Sequence, residues 1–241
     1  GQHGYEAGAY EACDSPYHDY FSFREGSGWP DNGNYEGWWD FATLPKLNYE
    51  GSRKLQEEIF RIGEKWISPP FNVDGWRLDV ADELPGWFIE KARKAVEETK
   101  DDGLLIGEVW EDASNKIAYS QRRKYLLGSE LHGVMNYPFR TALLTYLKGG
   151  NAEGFRDSME PIRENYPPEA FYANMKFLGT HDTARILTVL GADYPPESKE
   201  ERANFRLSPD QRQRGVHLLP LVRGEAEIRT LLLGLRRIVR S

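Results

Sequence analysis

The sequence predicts an α/β protein in which parallel strands lie beneath covering helices, as an open sheet or a closed barrel. Three observations point there. From residue 52 onward, segments of helical period alternate with short apolar runs of strand length. Two of those runs end in acids, Asp79 and Glu108, which stand 29 positions apart, close to the roughly 30 residues of one βαβ unit. The alternation then continues through "HGVMNYPF" followed by "RTALLTYLKGG", and through "NMKFLGTHD".

Residues 1 to about 50 are rich in Gly, Pro, Asp, Asn and Tyr without a sustained period, which predicts an irregular, loop-dominated subregion. Ser52 opens a helix in which Leu55, Ile59, Ile62 and Trp66 fall at helical spacing, and Pro69 and Pro70 stop it. The first strand is expected over 73–79. The helix in "LPGWFIEKARKAVEETK" follows, with Phe88, Ile89, Ala92 and Val96 on one apolar face. "LLIGEVW" is too short and apolar for a surface helix and reads as a buried strand. Strands are expected again over 132–139 and 174–182. From 201 to 241 every basic side chain is Arg, and "EAEIRTLLLGLRRIVRS" has the pattern of an amphipathic helix; no fifth βα unit is visible. The expected organisation is a loop-rich lead-in over 1–50, the sheet and its helices over 51–200, and a helical tail over 201–241.

Composition narrows the function classes. Of the 241 residues, 39% are hydrophobic and 13% aromatic, enough for a packed core. A net charge of −7 argues against nucleic acid or an anionic membrane as partner. A single cysteine, Cys13, forms no internal disulfide. No run of about 18 apolar residues occurs, and the N-terminus lacks a signal-peptide layout, so a cytoplasmic location is expected. Trp and Tyr cluster in segments such as "GNYEGWWDFATLPKLN". Aromatic rings in loops either cover a core or offer flat faces to sugar rings.

The stretch "DGWRLDVADE" sets an arginine and an aspartate between apolar residues. In an extended chain Arg77 and Asp79 share a face, and the cation favours the ionised carboxylate. Glu108 sits between an aliphatic run and Trp110, surroundings that disfavour its charged form. One ionised and one protonated carboxyl are what retaining glycoside hydrolysis needs. With Asp182 they make three acids at predicted strand ends, where reactive groups of a parallel barrel converge. Each has a plainer alternative: a structural ion pair for Arg77–Asp79, a cap or surface acid for Glu108, and a helix cap in "THDT" for His181 and Asp182.

"DGWRLDVADE", "IGEVW" and "FLGTHDTAR" resemble, in order and spacing, the second, third and fourth sequence regions of the α-amylase family of glycoside hydrolases. "LPKLN" and "GVMNYPF" are similar to segments of its neopullulanase, cyclomaltodextrinase and maltogenic amylase branch. The resemblance covers about residues 5 to 215 and is lost after about 216. It implies a partial (β/α)₈ barrel, strands four to seven, behind a loop subdomain; the family's first region, first three strands and eighth strand have no counterpart. It also implies Asp79 as nucleophile, Glu108 as general acid, and Asp182 as the residue holding the hydroxyls of a distorted sugar. Arg77 and His181 match the basic residues beside them, and Trp110 lines the cleft. The implied substrate is an α-glucan oligosaccharide or polysaccharide with α-1,4 and, in this branch, α-1,6 bonds. No redox or organic cofactor is implied, and a structural calcium is left open. An incomplete barrel leaves sheet edges bare, so a homo-oligomer or the remainder of the same barrel is expected to cover them. Two other readings stay open: a non-catalytic remnant that binds glucan or a partner chain, and a metal-dependent barrel enzyme.

Overall fold

The structure, a computed structural model, describes residues 8–9, 14–24, 35–194 and 198–223. The chain divides into two compact units, one formed by Gly1–Arg77 with Glu83–Leu105 and the other by Leu78–Asp82 with Ile106–Ser241.

In the first unit the described part of the lead-in includes a short hairpin. Strands β1 (Gly37–Trp38) and β2 (Phe41–Pro45) pair antiparallel. Trp39 and Asp40 turn the chain between them with φ of 49° and 59°, the left-handed geometry that a tight hairpin requires. Helix α1 (Arg53–Ile67) begins where the sequence predicts: the Ser52 side chain accepts the Leu55 N–H, satisfying one of the orphan donors of the first turn. Its predicted apolar face is only partly covered, however. Leu55 is buried, whereas Ile62 and Trp66 are each 40% exposed. A helical period fixes which residues share a stripe, but a neighbour must be present to bury it. Strand β3 (Gly75–Leu78) is shorter than expected. Helix α2 (Gly86–Thr99) buries Phe88, Ile89 and Val96, with Phe88 against Tyr49 and Phe60.

Strand β4 (Leu104–Gly107) sits in the middle of a three-stranded sheet of order β3-β4-β7, where β7 is Gly133–Val134. The Leu104 N–H reaches the Asp74 carbonyl and the Glu108 N–H the Leu78 carbonyl. That constant offset makes the β3–β4 pairing parallel, and β4–β7 is parallel also, with Ile106 opposite Gly133. Between β4 and β7 lies a small hairpin, β5 (Ile117–Ala118) with β6 (Gln121–Arg122), turned by Tyr119 and Ser120 at φ of 52° and 60°.

The third and fourth predicted strands are corrected. Of 132–139 only Gly133–Val134 is strand, because Asn136 caps helix α3 (Tyr137–Leu147) by accepting the Phe139 N–H, and Pro138 fits its first turn. Of 174–182 only one bridge forms, Met135 with Met175, parallel. It continues the sheet by a single residue. Helix α4 (Ala152–Asn165) is capped by Asn151 and buries Phe155, Met159 and Ile162. It packs with α3 and with α5 (Pro168–Ala173). Helices α6 (Ile186–Gly191), α7 (Lys199–Asn204) and α8 (Pro209–Arg223) complete the described chain, α6 against α8. The amphipathic helix expected over 225–241 lies outside the described residues. Among the described residues no helix is long and apolar enough to cross a membrane.

Candidate active site

Asp79 and Glu108 follow the last residues of β3 and β4 directly. The Glu108 N–H bonds the Leu78 carbonyl at 3.0 Å, and the Ala81 N–H bonds the Glu108 carbonyl at 3.1 Å. The residues bearing the two acids therefore stand in register at adjacent strand ends. Close approach there depends on Gly107: a Cβ at that position would run into the Leu131 side chain and come within 3.2 Å of the Ala81 Cβ.

Glu108 is buried, 5% exposed, and is thus no surface acid. One carboxylate oxygen, Oε2, accepts the Val80 N–H at 2.8 Å. The other, Oε1, accepts the Trp110 indole N–H at 3.1 Å and lies 3.5 Å from the Tyr137 hydroxyl. Such donors offset the desolvation of a buried carboxylate. Val80 adopts φ 37°, an uncommon conformation for a β-branched residue, of the kind that costs about 1–3 kcal/mol and persists where surroundings enforce it.

Trp110 is 48% exposed. One face of its ring stacks on Tyr137, centroids 4.0 Å apart and planes within 14°. Tyr137 in turn meets Phe177 edge-on at 4.7 Å, and Arg140 holds the adjacent Leu178 carbonyl at 2.8 Å. The segment leading to Asp182 is thereby fastened beside the aromatic pair. Sequence reasoning missed Tyr137, which lies 29 positions beyond Glu108; a helix N-cap followed by Tyr-Pro marks the turn but not what its ring touches.

His181 and Asp182 sit on a turn in which the Thr180 N–H bonds Thr183 Oγ1 and the Asp182 N–H bonds Thr180 Oγ1. Helix α6 takes no side-chain cap from "THDT", so that alternative fails. His181 Nε2 lies 3.2 Å from Asp182 Oδ2, with the His181 side chain largely in solvent and that of Asp182 partly so. Arg77, in β3, is half-buried, whereas Asp79 is exposed: the alternation expected of an extended chain ends at Leu78, where the turn begins. Of the loop aromatics, Trp38 and Trp39 stack at 4.7 Å, and both indole N–H groups reach the Glu83 carboxylate. Trp39 stays 59% exposed, so it does not cover a core.

The loop after Glu108 is anchored by buried tyrosines. Tyr166 accepts the Ala113 N–H at 2.8 Å, and burial pushes its hydroxyl up to about 12. Tyr125 donates to Asp82 at 2.6 Å; burial and then that carboxylate drive its hydroxyl far above the usual range. Lys116 bridges Asp82 and Glu111. Burial lowers its pKa, but the two carboxylates together outweigh this, and the net direction is up. Among the described residues no three His, Cys, Asp or Glu side chains group as a metal site would need.

Acids at neighbouring parallel strand ends, one buried behind an aromatic pair, on a chain that matches the α-amylase family (Alpha amylase, catalytic domain) over residues 1–208, decide the family. The chain belongs to the α-amylase family. It is 33% identical over 201 residues to a protein named cyclomaltodextrinase from Geobacillus thermopakistaniensis, covering 79% of this chain and 32% of that protein. It is 32% identical over 227 residues to an amylopullulanase from Thermoanaerobacter thermohydrosulfuricus, covering 81% of this chain and 14% of that one. Among solved structures, the cyclic α-maltosyl-(1→6)-maltose hydrolase from Arthrobacter globiformis in complex with maltose matches with a TM-score of 0.63 and 26% identity, over 75% of this chain and 39% of that one. The fold of this α-amylase chain is accordingly part of a (β/α)₈ barrel, mixed α/β, with no closed barrel among the described residues. It spans about a third or less of the curated relatives just named.

Proposed function

We propose that this α-amylase family chain carries the catalytic acids of an α-glucan hydrolase that works by retaining double displacement. In this reading the Asp79 carboxylate attacks the anomeric carbon while Glu108 gives its proton to the departing glycosidic oxygen. Glu108 then takes a proton from the water that releases the β-glycosyl ester, and Asp79 leaves as the carboxylate. Asp182 holds sugar hydroxyls, Arg77 and His181 are the accompanying basic residues, and the open face of Trp110 meets the sugar ring. Of the two Glu108 oxygens, Oε1 is the one suited to carry the proton. Its partners are side chains that can turn, and the Tyr137 hydroxyl can accept as well as donate, whereas Oε2 faces a fixed backbone N–H.

The observation that supports this most is the backbone register that sets a buried, hydrogen-bonded Glu108 beside Asp79. The substrates proposed are maltooligosaccharides, cyclodextrins or pullulan, with α-1,4 and also α-1,6 linkages, in keeping with the relatives' names. No cofactor enters the reaction as proposed. A second reading, a glucan-binding remnant without turnover, is favoured by a sheet that closes no barrel among the described residues. The remainder of a barrel, or a second copy, is the partner proposed for the edge that β3 forms among the described residues.

Proton NMR of freshly released sugar, together with a maltotriose titration, tests both. Initial release of the α-anomer supports the proposal, and initial β-anomer refutes it. Binding without any release favours the remnant.

A further inference from the structure

The turn that bears Asp79 is gripped from two sides. On one side Glu108 holds it through the Leu78 carbonyl and the Val80 and Ala81 N–H groups. On the other side Arg123, itself buried, donates to the Ala81 carbonyl at 3.1 Å. Tyr125, fully buried, donates its hydroxyl to Asp82 Oδ1 at 2.6 Å, and Lys116 donates to Oδ2 at 2.9 Å. The Arg123 guanidinium lies 5.0 Å over the Tyr125 ring, so the two donors brace each other. Between the grips is Val80, at φ 37°. A left-handed valine relaxes unless its flanks are fixed, and relaxation here would swing the Val80 N–H off Glu108 and turn Asp79 with it.

We propose that Tyr125, Arg123 and Lys116 are positioning residues: by holding Ala81 and Asp82 they keep the strained Val80 turn in place, and so set Asp79 against Glu108. The catalytic consequence rests on the α-glucan hydrolase reading; the mechanical one does not.

Amide hydrogen exchange on the full chain tests the grip, with wild type compared with Tyr125→Phe, Asp82→Ala and Asp82→Asn. In Tyr125→Phe the Val80 and Ala81 amides are expected to exchange at least about tenfold faster while Phe155–Ile162 of α4 keeps its protection, since local opening exposes only the bonds it breaks. Asp82→Ala should behave alike, and Asp82→Asn, which keeps an oxygen for Tyr125, should restore most of the protection. Unchanged exchange at 80 and 81, or acceleration equally large in α4, would overturn the proposal.

Where wild type cleaves maltoheptaose, Tyr125→Phe should lower kcat about 10- to 100-fold per folded molecule with KM within about twofold, as expected of misaligned reacting groups. An unchanged kcat, or a loss confined to KM, overturns it as well. A wild type that cleaves nothing but shows the predicted exchange leaves the clamp standing and sinks the hydrolase reading instead.

Discussion

Glu108 and Asp182 carry the same signal in sequence, an acid at the end of a predicted strand, yet the fold treats them in opposite ways. Glu108 is buried, and donors from Val80, Trp110 and Tyr137, drawn from three separate stretches of chain, converge on its carboxylate. Asp182 makes local contacts, with Thr180 two residues back and with His181 beside it; the Asp182 side chain is 40% exposed and that of His181 76%. The difference comes from what surrounds each strand end. β4 is the central strand and has neighbours on both sides, whereas the segment before Asp182 meets the sheet only at its start, through the Met175 bridge and the Asn174 side chain on the Val134 N–H. A carboxylate is oriented in advance where the sheet is complete, and by its own turn where it is not.

The largest effect that can sharpen this contrast is on turnover. Replacing Glu108 by Gln keeps shape and most contacts but removes the transferable proton, so cleavage of maltooligosaccharides should fall by about 10²–10⁴-fold, the usual worth of a positioned acid–base group. Unaltered turnover in the Gln variant would remove Glu108 from the acid's role. Stability separates the two acids next. Glu108→Ala leaves the Val80 N–H and the half-exposed Trp110 indole without their acceptor, and should cost about 1–3 kcal/mol in urea unfolding. Asp182→Ala should stay within about 0.5 kcal/mol, as exposed substitutions do. Equal costs would break the comparison.

How much of this was legible in the sequence follows the same division. Helices α1 and α2 were read nearly to the residue because Ser52, the Pro69–Pro70 stop and the Phe88–Ile89–Val96 stripe are local signals. Glu108 is legible as a candidate because an apolar run ending in an acid is also local. Tyr137 and Tyr125 were not found: they reach the site across the fold, and nothing within a few residues of either records the contact. The fourth strand was overcalled for the converse reason. "NMKFL" has the right polarity, but a strand exists only as long as its partner continues, and β7 gives way to α3 at Tyr137.

A third test concerns the anchoring of the loop beyond Glu108. The Tyr166 hydroxyl, raised from 10.0 to about 12 by burial, is neutral in the folded chain at a pH where it ionises in the unfolded one. The unfolded state then binds fewer protons, so stability is intact below about pH 10 and declines as pH rises toward 12. The decline attributable to Tyr166 is on the order of 2 kcal/mol. Tyr166→Phe should unfold more easily at pH 8, having lost the acceptor for Ala113, yet lose less further stability between pH 9 and 11. Parallel slopes for the two proteins in urea titrations at those pH values would contradict the assignment.

The smallest effect comes from Tyr137→Phe, and it asks what the aromatic pair contributes to the organised acid. The hydroxyl donates to Glu108 Oε1 at 3.5 Å, the outer limit of a hydrogen bond, so its removal should cost under about 1 kcal/mol of stability. The ring stack on Trp110 is kept, and the indole N–H should therefore stay on Glu108. If Oε1 carries the proton in turnover, the hydroxyl matters more to rate than to folding, and a three- to tenfold fall in kcat with an unchanged unfolding midpoint is expected. A midpoint that drops while kcat holds would mean that the hydroxyl serves the fold alone, and that the proton is carried without it.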